Sequence, residues 1–180
     1  KDNFDHKGPF FYFYLKTLIE LFGKNFIVQY YILSITTLIY LTSLIFFSKI
    51  FLKKKKNILL FVFLALASLY EIPTDAIIAL FNQSLIIFGY TLGIYVFLNK
   101  DLKDKNKFLL LLTGNILFIL AYFVRVDSII HLLIFNVLLI FYIKSYLRFI
   151  LFSILIYLLI FKFFCIYFNY SFFDYYNSNI

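Results

Sequence analysis

Apolar positions in this chain fall in long runs rather than in stripes. Phe26 to Ser48, Ala76 to Leu98, Phe108 to Val124, Ser128 to Ile143 and Phe149 to Tyr167 read as near-continuous hydrophobic segments between short polar stretches. A helix on a soluble domain is apolar on one face; runs of this length, apolar all round, mark helices that cross a bilayer. A sixth run, Ile58 to Tyr70, covers only about 20 Å of helix against a hydrocarbon core of about 30 Å. It must extend through Glu71 and Ile72, or set its polar end in a sheltered, water-filled cavity. Pro9 to Phe22 is aromatic but carries Lys16 and Glu20 four residues apart on one helical face. That pattern suits a short helix lying in the membrane interface, ended by Gly23-Lys24-Asn25.

The expected architecture is therefore all-α: a polytopic transmembrane helical bundle with a short interfacial helix (9–22) in the first outer loop. Six spans are expected, at about 26–48, 58–72, 76–98, 108–124, 128–143 and 149–167, forming a single transmembrane domain over residues 1–180. The backbone is expected to break at 71–75. Pro73 lacks an amide donor and disfavours helix at Ile72.

Composition supports this reading. Hydrophobic residues make up 64% and charged residues 14%, against roughly 25% charged in ordinary soluble domains. That leaves too little polar surface to coat a soluble domain, and disorder requires the opposite bias. The net charge of +8 would suggest nucleic acid, but the lysines cluster between apolar runs and serve better as topology signals. With the Lys53–Lys56 run in the cytoplasm, alternation places Lys100–Lys107 and Lys144–Arg148 there too. The extracytoplasmic face then receives residues 1–25, Glu71–Asp75, Arg125–Ser128 and the tail. The expected location is the cell membrane. Cys165 is the only cysteine, so neither an intrachain disulfide nor a cysteine-based zinc site is expected. The chain has no Met and opens on Lys1-Asp2-Asn3, which reads as a piece of a longer protein truncated at its N-terminus.

Mixed-sign ionisable groups gather on that outer face at span ends, as they would around a site. Asp5-His6-Lys7 sets a carboxylate, an imidazole and an ammonium side by side, and Gly8-Pro9 turns the chain into the interfacial helix. The plainer alternative is a polar loop with Asp5 near the positive end of that helix. Glu71 and Asp75 flank the Pro-Thr break and suit a metal, a cationic group or a general base; alternatively Thr74 or Asp75 only caps the span at Ala76. Arg125 has the planar fork that holds two phosphate oxygens and never deprotonates. Its alternative is snorkelling to headgroups, with Asp127 or Ser128 as the next helix cap. His131 lies one turn further on, facing a cavity or packed and hydrogen-bonded between helices. Asn82-Gln83-Ser84 reads as interhelical hydrogen bonding. No tight metal-ligand spacing, P-loop or Ser-His-Asp arrangement is present, which disfavours a nucleotide-using enzyme on the cytoplasmic side.

Asp5-His6-Lys7-Gly8-Pro9-Phe10-Phe11-Tyr12, followed by Leu21-Phe22-Gly23, resembles a motif of the C-fold, family 39-like bacterial membrane glycosyltransferases. These include polyprenyl-phosphate-sugar-dependent protein O-mannosyltransferases and lipid A aminoarabinose transferases. Pro73-Thr74-Asp75 opening a span, the lysine-rich inner loop, Gly114 and Arg125 follow the same pattern, so the resemblance covers roughly residues 4–135. His6 stands where relatives often carry Glu, and the front of the first outer loop, where the family usually has its principal catalytic Asp, is missing. The resemblance implies inverting transfer of a sugar from a polyprenyl-phosphate donor to an acceptor on the outer face. Asp5 and His6 would take catalytic roles or help bind a divalent metal where one is used, Lys7 and Arg125 would hold the lipid phosphate, and Glu71 and Asp75 would be further acidic site residues. This chain alone would be inactive. The competing classes are a transporter or flippase subunit and a non-catalytic membrane scaffold; charge in mid-span would favour transport.

Overall fold

The computed structural model describes residues 8–24, 27–52, 57–58, 61, 76–99, 101–140 and 146–168, and among these it is an all-helical bundle without strands. The helices are α1 (Pro9–Phe22), α2 (Ile27–Phe51), α3 (Ala76–Leu98), α4 (Asp104–Val124), α5 (Ile129–Ile140), entered through a 3-10 turn (Val126–Ser128), and α6 (Tyr146–Phe168). Four of them, α2, α3, α4 and α6, are long and apolar enough to cross a membrane. At about 1.5 Å per residue each exceeds the ~30 Å hydrocarbon core. Their outer surfaces fit that setting: Leu133, Val137, Leu147, Leu151, Leu158 and Ile166 are exposed, a display that water would punish and lipid does not. The chain is built as a membrane protein.

The core forms around α4, which packs on α1, α3, α5 and α6. Phe118, Phe123, Phe135 and Phe149 are fully buried there. Helices in lipid gain little from the hydrophobic effect, so close packing must hold them together. Small residues permit it. A Cβ on Gly89 would lie 2.8 Å from the Phe118 ring and 3.2 Å from the Gly114 carbonyl, and one on Gly93 would lie 2.7 Å from the Phe135 ring. The α3–α4 and α3–α5 approaches therefore depend on glycine opposite a ring or a backbone.

Contacts set the directions. Phe11 and Val124 share a cluster with Ile78 and Phe81, while Gly89 meets Gly114, so α3 and α4 are antiparallel. Asn115 reaches Ser153, and Phe123 reaches Phe161 and Phe164, so α6 runs parallel to α4. Ile32 packs near Ile77, Tyr40 and Leu44 near Leu80, and Phe46 near Phe88. Thus α2 and α3 run in the same direction, and α3 starts at the end of the bundle where α2 starts. That end gathers the starts of α2, α3 and α5, the ends of α4 and α6, and all of α1.

At about 21 Å, α1 is too short to span. It lies across this end, with Phe10 against Phe81 and Phe164, Phe13 against Phe163 and Tyr167, and Tyr14 stacked on Phe81 at 4.1 Å. The Tyr14 hydroxyl pairs with Thr36 of α2 at 2.6 Å. Lys16 sits over the Tyr167 ring and 4.0 Å from Glu20. A hydrogen bond to the Tyr167 hydroxyl is the main cause of an ammonium pKa above the ordinary lysine value.

Element ends differ from the sequence pattern by about a turn. α4 starts at Asp104, not Phe108, because Asp104 can favour a helix start and sits 4.0 Å from Lys107. α2 runs on through Lys49 to Phe51, with a cation favourable near its C-terminus. The expected break at 71–75 lies outside the described residues.

Candidate functional site

Gly8 is the junction between the Asp-His-Lys element and the bundle. Its amide donates to the Val124 carbonyl at 2.8 Å, and a Cβ placed on it would fall 1.8 Å from the Phe123 carbonyl oxygen. Its φ of −76° is open to any residue, so glycine is required here by space and not by conformation. Pro9 follows at the first helical position, where its missing amide hydrogen is no loss. At the far end of α1, Gly23 adopts φ +88° and donates to the Ile19 carbonyl at 2.8 Å, ending the helix. The Gly-Pro start and the Phe-Gly stop of the sequence element thus each have a local structural cause.

Val124, which accepts from Gly8, directly precedes Arg125. Arg125 is extended and breaks the chain between α4 and the 3-10 turn. Its guanidinium is forked onto Asp127: Nε donates to Oδ1 at 3.2 Å and Nη2 to Oδ2 at 2.6 Å. The two side chains are 44% and 59% exposed, so the pair is within reach of a ligand. The side-on edge of the fork is occupied, and the Nη1 edge has no partner among the described residues.

Asp127 and Ser128, the two residues before α5, both have partners outside that helix. Asp127 is the partner of Arg125. Ser128 is buried and exchanges hydrogen bonds with Asn82 of α3, receiving from Nδ2 at 2.8 Å and donating to Oδ1 at 3.1 Å. This pins the 3-10 turn to the first turns of α3. Extended backbone at Arg125 lets residues two apart meet, which helical spacing would forbid.

A cavity of about 320 Å³ opens beside the pair, lined by Asn82, Gln83, Arg125, Asp127, Ser128 and His131 on its polar side. His131 engages Tyr90 of α3 through Nδ1 at 3.1 Å. It therefore both bonds between helices and faces the cavity. Gln83 is a lining residue that sequence reasoning assigned only to helix packing; its polarity about two turns into an apolar span was the available signal.

Of the residues proposed from sequence, the structure places Arg125 at this cavity. Asp5, His6, Lys7, Glu71 and Asp75 lie outside the described residues. Among the described residues, no group of three or more His, Cys, Asp or Glu is spaced to hold a metal ion. Comparison with protein-family models, with curated proteins and with solved structures finds no match to this chain.

Proposed function

We propose that this chain is part of a membrane glycosyltransferase that moves a sugar from a polyprenyl-phosphate donor to an acceptor on the extracytoplasmic face. The observation that carries the reading is the Arg125 cavity at the bundle end where α1 enters. Asp127 holds the guanidinium by its side-on edge, and the remaining N–H groups, which have no partner among the described residues, suit phosphate oxygens, which Arg binds with two parallel hydrogen bonds. The hydrogen bond from Gly8 to Val124 ties the start of α1 to the residue before Arg125, so the Asp5-His6-Lys7 element is one peptide bond from this anchor. In this reading Lys7 joins Arg125 on the phosphate, stabilising charge as it leaves. Asp5, His6, Glu71 or Asp75 supplies the base that takes a proton from the acceptor, with a divalent metal where one is used. The basic residues described at the opposite end, Lys49, Lys103, Lys105, Lys107 and Arg148, support a cytoplasmic assignment for that end.

The test is sugar transfer by the full-length protein that contains this chain, in liposomes loaded with a radiolabelled polyprenyl-phosphate sugar. Arg125→Ala and Lys7→Ala should each lower transfer by about 10²-fold, the scale of losing one group that stabilises developing charge. Membrane insertion should be unchanged. Full activity in both variants removes the phosphate-holding role.

A further inference from the structure

A second polar cluster lies in the middle of the bundle, remote from the Arg125 cavity. Asn115 of α4, Asn136 of α5 and Ser153 of α6 form a hydrogen-bonded chain. Asn136 Nδ2 donates to Asn115 Oδ1 at 3.0 Å, Asn115 Nδ2 donates to Ser153 Oγ at 2.5 Å, and Ser153 Oγ donates to the Phe149 carbonyl at 2.9 Å. The direction of this chain is fixed at both ends. Asn136 Nδ2 also donates to the Leu132 carbonyl at 2.8 Å, and a carbonyl can only accept, so the amide cannot be flipped. The far end stops on another carbonyl. The donors between helices thus point from α5 through α4 to α6. Among the described residues this leaves two open groups: the second N–H of Asn115 Nδ2, and Asn136 Oδ1, which accepts no hydrogen bond. Donation by the same amide polarises that oxygen and makes it a better acceptor.

The three residues line a cavity of about 290 Å³ whose other walls are Ile119, Leu132, Leu133, Ile150, Ile154 and Tyr157. α5 and α6 both rest on α4 with little direct contact between them, and Leu133 and Ile154 are exposed on the outer surface. Among the described residues the cavity is therefore a cleft between α5 and α6 that opens sideways towards the lipid, with an amide floor.

We infer that this cleft binds the uncharged end of a lipid alcohol, whose hydroxyl donates to Asn136 Oδ1. The ligand carries a hydroxyl, which donates to Asn136 Oδ1 and has lone pairs for the spare N–H of Asn115. It must be uncharged, because no ionisable side chain other than the Tyr157 phenol lines the cleft and charge in hydrocarbon is costly. It must be slender: roughly ten small groups fill the volume at the ~30 Å³ a water molecule occupies, whereas a helix is about 10–12 Å across. The inference is independent of the transferase reading.

The intact chain is placed in phosphatidylcholine nanodiscs with a diazirine-bearing hexadecanol, its methyl ether, or the corresponding hexadecyl phosphate. After irradiation, labelled peptides are mapped by mass spectrometry. The alcohol should label the Leu133, Ile154 and Tyr157 region about tenfold more than the ether, as expected for one hydrogen bond in a dry site. The phosphate should do no better than the ether. Asn136→Leu should bring alcohol and ether within about twofold, while Ser153→Ala, which leaves the acceptor in place, should keep the preference. Equal labelling by alcohol and ether on the unaltered protein overturns the inference without reliance on any variant. So does labelling spread evenly over the lipid-facing helices, or a crosslinked dimer that excludes the probe from the cleft.

Discussion

Two residues decide what the Arg125 cavity can offer a ligand. Asp127 satisfies the Nε and Nη2 edge of the guanidinium and leaves the charge of the pair near neutral, so an anion meets an oriented fork whose charge is partly cancelled. Asp127→Asn keeps one acceptor oxygen and removes the negative charge; it should tighten binding of a phosphate-bearing lipid by about two- to fivefold, since an exposed charge contact is worth roughly 1 kcal/mol or less. Arg125→Lys keeps the charge but loses the fork, and should weaken binding despite being nominally conservative. Lipid titration of the purified variants in nanodiscs checks both, and weaker binding by Asp127→Asn would show that Asp127 serves only to hold Arg125 in place. The other decisive residue is Gly8. Its imaginary Cβ collides with a backbone oxygen, which cannot rotate away, so Gly8→Ala should destabilise the docked α1 by about 1–3 kcal/mol, the usual scale of overpacking. Chemical unfolding in detergent reads that change; an unaltered midpoint would mean that the α1 entry relaxes freely.

Helices were legible in the sequence because unbroken apolar runs permit few other structures in lipid. Their kind and class follow from hydropathy alone, whereas their ends do not. Asp104 and Lys107 look like loop residues in a hydropathy profile, yet their pairing suits the first turn of α4. The Arg125 side of the site was visible as a charge at a span end. The role of Asp127 was not, because it depends on extended backbone at Arg125, which hydropathy does not encode. Asn82 was visible as a polar exception inside a span, but its partner Ser128 required the fold, and the meeting of Asn115 with both Asn136 and Ser153 was not read from the sequence at all. Removing the middle of that chain tests its weight. Asn115→Leu leaves Asn136 without its Asn115 acceptor in a part-buried site and should cost about 1–2 kcal/mol, at the upper end of measured interhelical hydrogen bonds in membranes. A variant as stable as the parent in the same unfolding assay would show that lipid or water replaces Asn115 without loss.

At the scale of the molecule, the directions of the helices and the distribution of charge make one joint prediction. α2 and α3 are parallel, α3 and α4 antiparallel, and α6 parallel to α4, so the bundle has two chemically distinct ends. One carries α1, Lys24, Arg125 and Asp127; the other carries Lys49, Lys103, Lys105, Lys107 and Arg148 with Asp101 and Asp104. The excess of cations at the second end favours the cytoplasm, and this bias is counted over short loops such as those seen here. The native Cys165 can be replaced by Ala, after which single cysteines at Lys24, Val126, Leu52 and Asp101 provide reporters. Lys24 and Val126 should react with a membrane-impermeant maleimide in intact cells, while Leu52 and Asp101 should react only after permeabilisation. Reversed labelling of all four positions would keep the bundle but turn the Arg125 cavity to the cytoplasm, where a transferase using an extracytoplasmic acceptor has no use for it. Labelling of Lys24 and Leu52 from the same side would go further, because it contradicts the passage of α2 across the membrane. The proposed reaction and the observed packing therefore stand on separable outcomes of one experiment.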